Sequence, residues 1–174
     1  MKQRKKQSGF TLIELAIVLA IAAAVIYVGF AVVPSLLASN KSNAETSALP
    51  AIVAKIQKNY ATQPNFAGVT TAGLIGLDVF PPEYVNGAAL ADRWGGTITP
   101  AVATIVTASD GIALTYTNIP QQECVDVAVG MERTMRIISV GGTVVKADGG
   151  VLNRTTLGTQ CNNATNTMVF TFGR

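Results

Sequence analysis

With 174 residues, of which 49% are hydrophobic and 13% charged, the chain has material for one membrane segment and one compact domain, and no room for two full domains. The complete absence of His excludes every His-dependent triad and removes the commonest general base and metal ligand. The formal charge of +3 leaves no nucleic-acid footprint, because Lys2, Arg4, Lys5 and Lys6 sit before any apolar stretch begins and the remainder, nine basic against ten acidic residues, balances near −1.

Residues 1–9 are polar and basic, and residues 10–37 are then almost wholly apolar, with Glu14 as the one charge. As a helix this second stretch is roughly 42 Å long, more than the roughly 30 Å of a bilayer's hydrocarbon core. The basic cluster stays cytoplasmic by the positive-inside rule, which places the C-terminal part outside the inner membrane. A plain secretory signal cleaved near Ala22-Ala23-Ala24 is the competing reading. It would leave Val25, Ile26, Val28 and Phe30 as an exposed apolar tail, and it gives Glu14 nothing to offset an insertion cost of about 2.5–3.5 kcal/mol. Gly29 and Pro34 are helix breakers inside the apolar run, so a kink or local loosening is expected around Phe30 to Pro34.

Gly9-Phe10-Thr11-Leu12-Ile13-Glu14-Leu15 resembles the processing motif of type IV prepilins and of type II secretion pseudopilins. The resemblance implies a leader of residues 1–9, cleaved after Gly9 by a membrane prepilin peptidase that also methylates the new amino terminus, Phe10. A glycine at the cut lets an extended backbone enter a peptidase cleft closely. It further implies an assembly role for Glu14, whose carboxylate pairs with the Phe10 amine of a neighbouring subunit. A buried charge that is costly alone and tolerable when paired would fix one axial register. The alternative is a Glu14 that is simply protonated in lipid.

Beyond residue 37 the helical period continues through Ile52, Val53, Ile56 and Tyr60. Residues 38–61 are therefore expected to be an amphipathic continuation of the same helix, with Pro50 as a bend or break. A head of residues 62–174 follows. Residues 62–96 carry Pro81-Pro82, Asn86-Gly87 and Gly95-Gly96 and read as mostly loop. Thr97 to Thr107 and Ile112 to Tyr116, around the turn Ser109-Asp110-Gly111, predict a hairpin. Cys124, Val127, Ala128, Met131, Met135 and Ile138 make one helical face over residues 122–138. Short strands are expected at residues 137–140 or 143–146, and a half-buried closing strand at residues 167–172. The fold class is α+β, a pilin ladle with its long N-terminal helix packed on an antiparallel sheet.

Cys124 and Cys161 have no CxxC spacing; in an exported domain they read as one disulfide, in a reducing cytosol as two thiols. The bond would close a loop of about 37 residues and stabilise by about 3–4 kcal/mol. The runs from Ala91-Asp92-Arg93-Trp94-Gly95-Gly96 onward, Ile119-Pro120 before Cys124, and Cys161 before the last strand resemble type IVb major pilins of thin conjugative and enterobacterial pili. The short leader and Phe10 instead resemble type IVa pilins.

Trp94 is expected to anchor the sheet edge with Arg93 over its face. The pairs Lys55 and Lys58, and Arg133 and Arg136, read as solvated helix faces, and Asp78 and Glu83 as surface charge. Sequons at Asn40, Asn153 and Asn163 are short enough to arise by chance. No catalytic, metal or cofactor site is expected. The resemblance implies a major pilus subunit forming a helical homopolymer, stored in the inner membrane and then displayed on the cell surface. Its partners would be the peptidase, an assembly ATPase and platform, and a secretin, and its output conjugation, adhesion or motility. A pseudopilin, or a minor tip pilin binding DNA or a receptor, are the alternatives.

Overall fold

A computed structural model describes residues 11–174, with every side chain among them except those of Ala31, Pro34 and Ser35. The chain divides into two compact units, Met1–Ala38 and Ser39–Arg174. Helix α1, Leu12–Asn59, runs through both.

In the first unit α1 is built from Leu, Ile, Val and Ala, and its segment Leu12–Phe30 is long and apolar enough to cross a membrane. The helix continues without interruption through Gly29, Pro34 and Pro50. An interior proline costs about 3 kcal/mol of helix propensity. At Pro50 that cost is outweighed locally, because Leu49, Ile52, Val53 and Ile56 recur at helical spacing and are all buried in the core of the second unit. The break expected at Pro50 is therefore absent.

The second unit holds a seven-stranded antiparallel sheet in the order β1-β2-β3-β4-β7-β5-β6. Its strands are β1 Val85–Asn86, β2 Ala89–Ala91, β3 Thr97–Ala103, β4 Gly111–Pro120, β5 Ile137–Val140, β6 Thr143–Lys146 and β7 Thr165–Gly173. Three further helices are α2 Thr71–Gly76, α3 Gln121–Met131 and α4 Arg154–Gln160. The β3–β4 hairpin lies where the alternating pattern put it, with Ile98 opposite Tyr116 and Val102 opposite Ile112. Both short strands near residue 140 form and pair with each other.

Two expectations are corrected. The helical face read over residues 122–138 ends at Met131; Met135 follows a turn, and Ile138 is in β5, opposite Phe170 of β7. The closing strand is half-buried only in its first part, where Asn166 and Met168 are buried and Thr165 and Thr167 exposed. β7 lies between β4 and β5, and from Phe170 on Thr171 and Gly173 are buried along with Phe170 and Phe172. Its alternation could not reveal this, because neighbours on both edges and cover on both faces are properties of the sheet rather than the strand.

Candidate assembly site

The described chain begins at Thr11, immediately before the first helical residue. The Thr11 amide and hydroxyl both donate to Glu14 Oε2 at 3.0 Å, and the Glu14 amide donates back to Thr11 Oγ1 at 3.3 Å. This is a reciprocal Thr-x-x-Glu capping box, which satisfies orphan donors at the helix start and stabilises it by about 1 kcal/mol. It was legible as Thr11-Leu12-Ile13-Glu14, a signal hidden behind the processing motif that shares those residues. None of the three bonds uses Glu14 Oε1. Gly9 and Phe10 lie outside the described residues. A chain starting at Phe10 would still contain both members of the box.

Past the cap, the large apolar side chains of α1 within the first unit are open to their surroundings: Leu12 is 88% exposed, Tyr27 75% and Phe30 79%. The alkyl and aromatic surface runs all round the helix, as on a segment destined for lipid or for other helices. Gly29 has no atom within 4 Å of where a Cβ would stand. Together with Ile26, Phe30 and Val33 it lines a shallow apolar notch of about 410 Å3. Pro34 lies within the same helix.

In the second unit Cys124, at the start of α3, is bonded to Cys161, just past α4, with their Cα atoms 5.8 Å apart. Both cysteines are buried. The bond ties α3 to the segment leading into the central strand β7, and no free cysteine is present.

A polar cluster that the sequence did not announce is built around Glu45, a fully buried residue of α1. Tyr84 donates its hydroxyl to Glu45 Oε2 at 2.8 Å, and Arg93 Nε lies 3.3 Å from the same oxygen. Arg93 also donates to the Tyr84 hydroxyl, pairs with Glu83 at 3.3 Å and stacks 5.1 Å above the Tyr84 ring. The Arg93 guanidinium therefore covers Tyr84, not Trp94 as expected. The fully buried Tyr116 hydroxyl lies near enough to act on Glu45, without hydrogen-bond geometry to it. Burial pushes the Glu45 carboxyl above its ordinary value, against the opposing pull of Tyr84, Tyr116 and Arg93. Burial likewise raises the Tyr84 and Tyr116 hydroxyls, with Glu45 adding to both shifts.

The Asp92–Gly96 turn supports this cluster. Asp92 Oδ1 accepts from the amides of Trp94 at 2.9 Å and Gly96 at 2.8 Å. Gly95 has φ +81°, and a Cβ on Gly96 would fall 2.0 Å from the Thr117 carbonyl oxygen. Trp94 packs partly buried against the core.

The basic pairs separate. Lys55 donates to the Asp78 carbonyl at 3.1 Å, and Glu83 is exposed surface charge that pairs with Arg93. Arg133 and Arg136 lie beyond the end of α3, so they are not a helix face. Arg136 grips Asp148 with two bonds of 2.7 and 2.6 Å. Asn153, one of the sequon residues, caps α4 by accepting from the Thr156 amide.

A capped, exposed apolar helix followed by an α+β head with one disulfide defines the class, a type IV pilin. Residues 39–173 match the family described as PilS N terminal, and residues 4–26 match the prokaryotic N-terminal methylation motif. The chain belongs to the PilS N-terminal family. Among solved structures it is similar to TcpA, a type IV pilin from Vibrio cholerae El Tor biotype, with TM-score 0.60 and 14% identity, covering 77% of this chain and 99% of that one. It is also similar to the type IV b pilin from Salmonella typhi, with TM-score 0.61 and 20% identity, covering 76% and 99%. At those identities the likeness speaks for the fold. No curated protein matches the sequence.

Proposed function

We propose that this chain is the major structural subunit of a type IV pilus, of the type IVb kind. It is held in the inner membrane through residues 10–37, cleaved by prepilin peptidase after Gly9, methylated on Phe10, and polymerised into a surface filament. The observation that carries the reading is the exposed apolar helix Leu12–Phe30, opened by a Thr11–Glu14 cap whose hydrogen bonds leave Oε1 unused among the described residues. Outside lipid, such a helix is stable only when its surface is covered again, and a bundle of identical helices covers it. The contact is head-to-tail and does not close, so it propagates as a fibre.

In this reading Glu14 works twice. It caps its own helix, and it receives the Phe10 amine of a neighbour, which sets the axial step. The Cys124–Cys161 bond supports a surface filament over a periplasmic pseudopilin, since a fibre meets mechanical load outside the cell. An assembly ATPase with its platform, and a secretin, would be the partners that extract and export the subunit.

The test is the intact mass and N-terminal residue of protein sheared from cells, followed by two substitutions. Methylated Phe10 is expected, with a mass two hydrogens below that of the reduced chain; a start at Val25 would overturn the reading. Glu14→Gln preserves the capping box, because Gln serves it as Glu does, yet removes the charge, whereas Glu14→Leu removes both. Loss of filaments in both variants, with cleavage intact, supports the charge pair. Normal filaments from Glu14→Gln reduce Glu14 to a cap.

A further inference from the structure

Between α1 and α3 of the head lies a groove of about 380 Å3, lined by Ser39, Ser42, Asn43 and Thr46 on one side and Asp126, Val129 and Gly130 on the other. Gly130 brings the helices together, since a Cβ there would stand 2.4 Å from Thr46 Cγ2. The Ser42 side chain is 3% exposed, and its hydroxyl has no hydrogen-bond partner. An unpaired buried hydroxyl is costly, and here it borders a space open to an incoming group. The lining is rich in oxygen acceptors, carries one carboxylate and has no basic side chain. One carboxylate does not make a metal cage, and no group of three metal-binding side chains occurs among the described residues. A single ammonium or guanidinium group fits the chemistry.

We propose that this groove receives Lys58 of a second copy of the chain, as a head-to-head contact within the filament. The inference rests on the polymer proposed above. Among the described residues, Arg93, Arg136 and Arg154 each face a carboxylate, and Lys55, Lys146 and Arg174 donate to backbone carbonyls. Lys41 is exposed and acts through its charge on Asp92, whereas Lys58 and Arg133 are exposed and have no such partner. Arg133 follows the groove residue Gly130 by only three positions, so donor and acceptor would share one surface and favour a closed pair. Lys58 stands 12 residues beyond Thr46 on α1, about 18 Å along the helix axis, too far to reach its own groove. Parallel copies displaced along that axis by about 20 Å bring Lys58 of one against Asp126 of the next. Donor and acceptor then lie on different surfaces, as an open polymer requires. The Lys58 ammonium donates to Asp126 and to the Ser42 hydroxyl, which the isolated subunit leaves unpaired.

The experiment compares sheared filaments from cells producing full-length wild type, Asp126→Lys, Lys58→Glu and the double reversal, with subunit level and disulfide oxidation as controls on folding. Each single reversal is expected to lower filament yield by about tenfold or more, and the double to recover most of it, because like charges repel across the contact and the exchange restores attraction. Asp126→Asn, which keeps the side chain's size, should fall in the same direction. Carbodiimide treatment of wild-type filaments should yield an intermolecular Asp126–Lys58 amide. Single variants with wild-type yield overturn the proposal, and so does a double no better than its parents while their subunits are stable and oxidised. Absence of filaments from wild type would instead remove the polymer reading, and this contact with it.

Discussion

Replacing Glu45 separates two roles of a buried carboxylate. Glu45→Ala leaves the Tyr84 hydroxyl buried without its acceptor, beside a Tyr116 hydroxyl that already has none, and Arg93 with the exposed Glu83 as its remaining acid. Breaking a buried pair from one side costs about 3–5 kcal/mol, a third or more of a typical domain's stability. For a head of this size that corresponds to a fall in Tm of about 10–20 °C. Glu45→Gln keeps an acceptor for Tyr84 and Arg93 and carries no charge to desolvate, so it should stay within about 1 kcal/mol of wild type at pH 7. The folded carboxyl lies above its ordinary value of 4.5, mainly through burial. The folded head therefore takes up the Glu45 proton before the unfolded chain does as pH falls toward 4.5. Its contribution to stability grows over that window, is fully present below it, and is lost again as pH rises through the folded value. Thermal unfolding of the oxidised full-length chain in detergent, from pH 7 to pH 4.5 and followed by the fluorescence of Trp94, measures both effects. A Gln variant as unstable as the Ala variant, or one with the wild-type pH dependence, would refute the reasoning.

Three further outcomes are expected. Gly96→Ala should destabilise the head by about 2–4 kcal/mol, seen in the same melts, because its Cβ would meet the Thr117 carbonyl oxygen and Asp92 Oδ2 with no room to yield. Reduction of Cys124–Cys161 should cost about 3–4 kcal/mol, read as the difference between melts with and without a reductant. Asp110 accepts from the amides of Ile105, Val106 and Thr107, and these bonds hold its carboxyl down at about 2. Its stabilisation is complete above the ordinary value of 3.8 and is lost as pH falls through about 2, so amide exchange at residues 105–107, in the loop between β3 and β4, should quicken over that range relative to the two strands.

The parts of the molecule legible in the sequence were those whose cause is local. Phe10 to Leu37 announced a helix for an apolar surrounding by composition alone, and Gly9 to Leu15 carried the pilin signal in seven adjacent residues. Ile112, Leu114 and Tyr116 showed their period of two because β4 has one face toward the core. α3 was overrun because Met135 and Ile138 continue the helical phase by coincidence. There the Arg136 amide bonds to the Thr171 carbonyl, an interaction between residues 35 positions apart. α4 was missed because its seven residues, with Gly158 among them, are too few for a period to appear, and its cap, Asn153, was read as a sequon.

Sequence alone determined the class of protein, the apolar span, the hairpin and the two half-cystines, since each rests on residue type and short spacing. Tertiary structure alone decided that β7 is a central strand, that Glu45 is buried and paired with Arg93, and that Ser42 and Asp126 share a groove. Those facts depend on which surfaces exclude water together. That is settled by packing between segments far apart in the chain, where neither propensity nor periodicity has a voice.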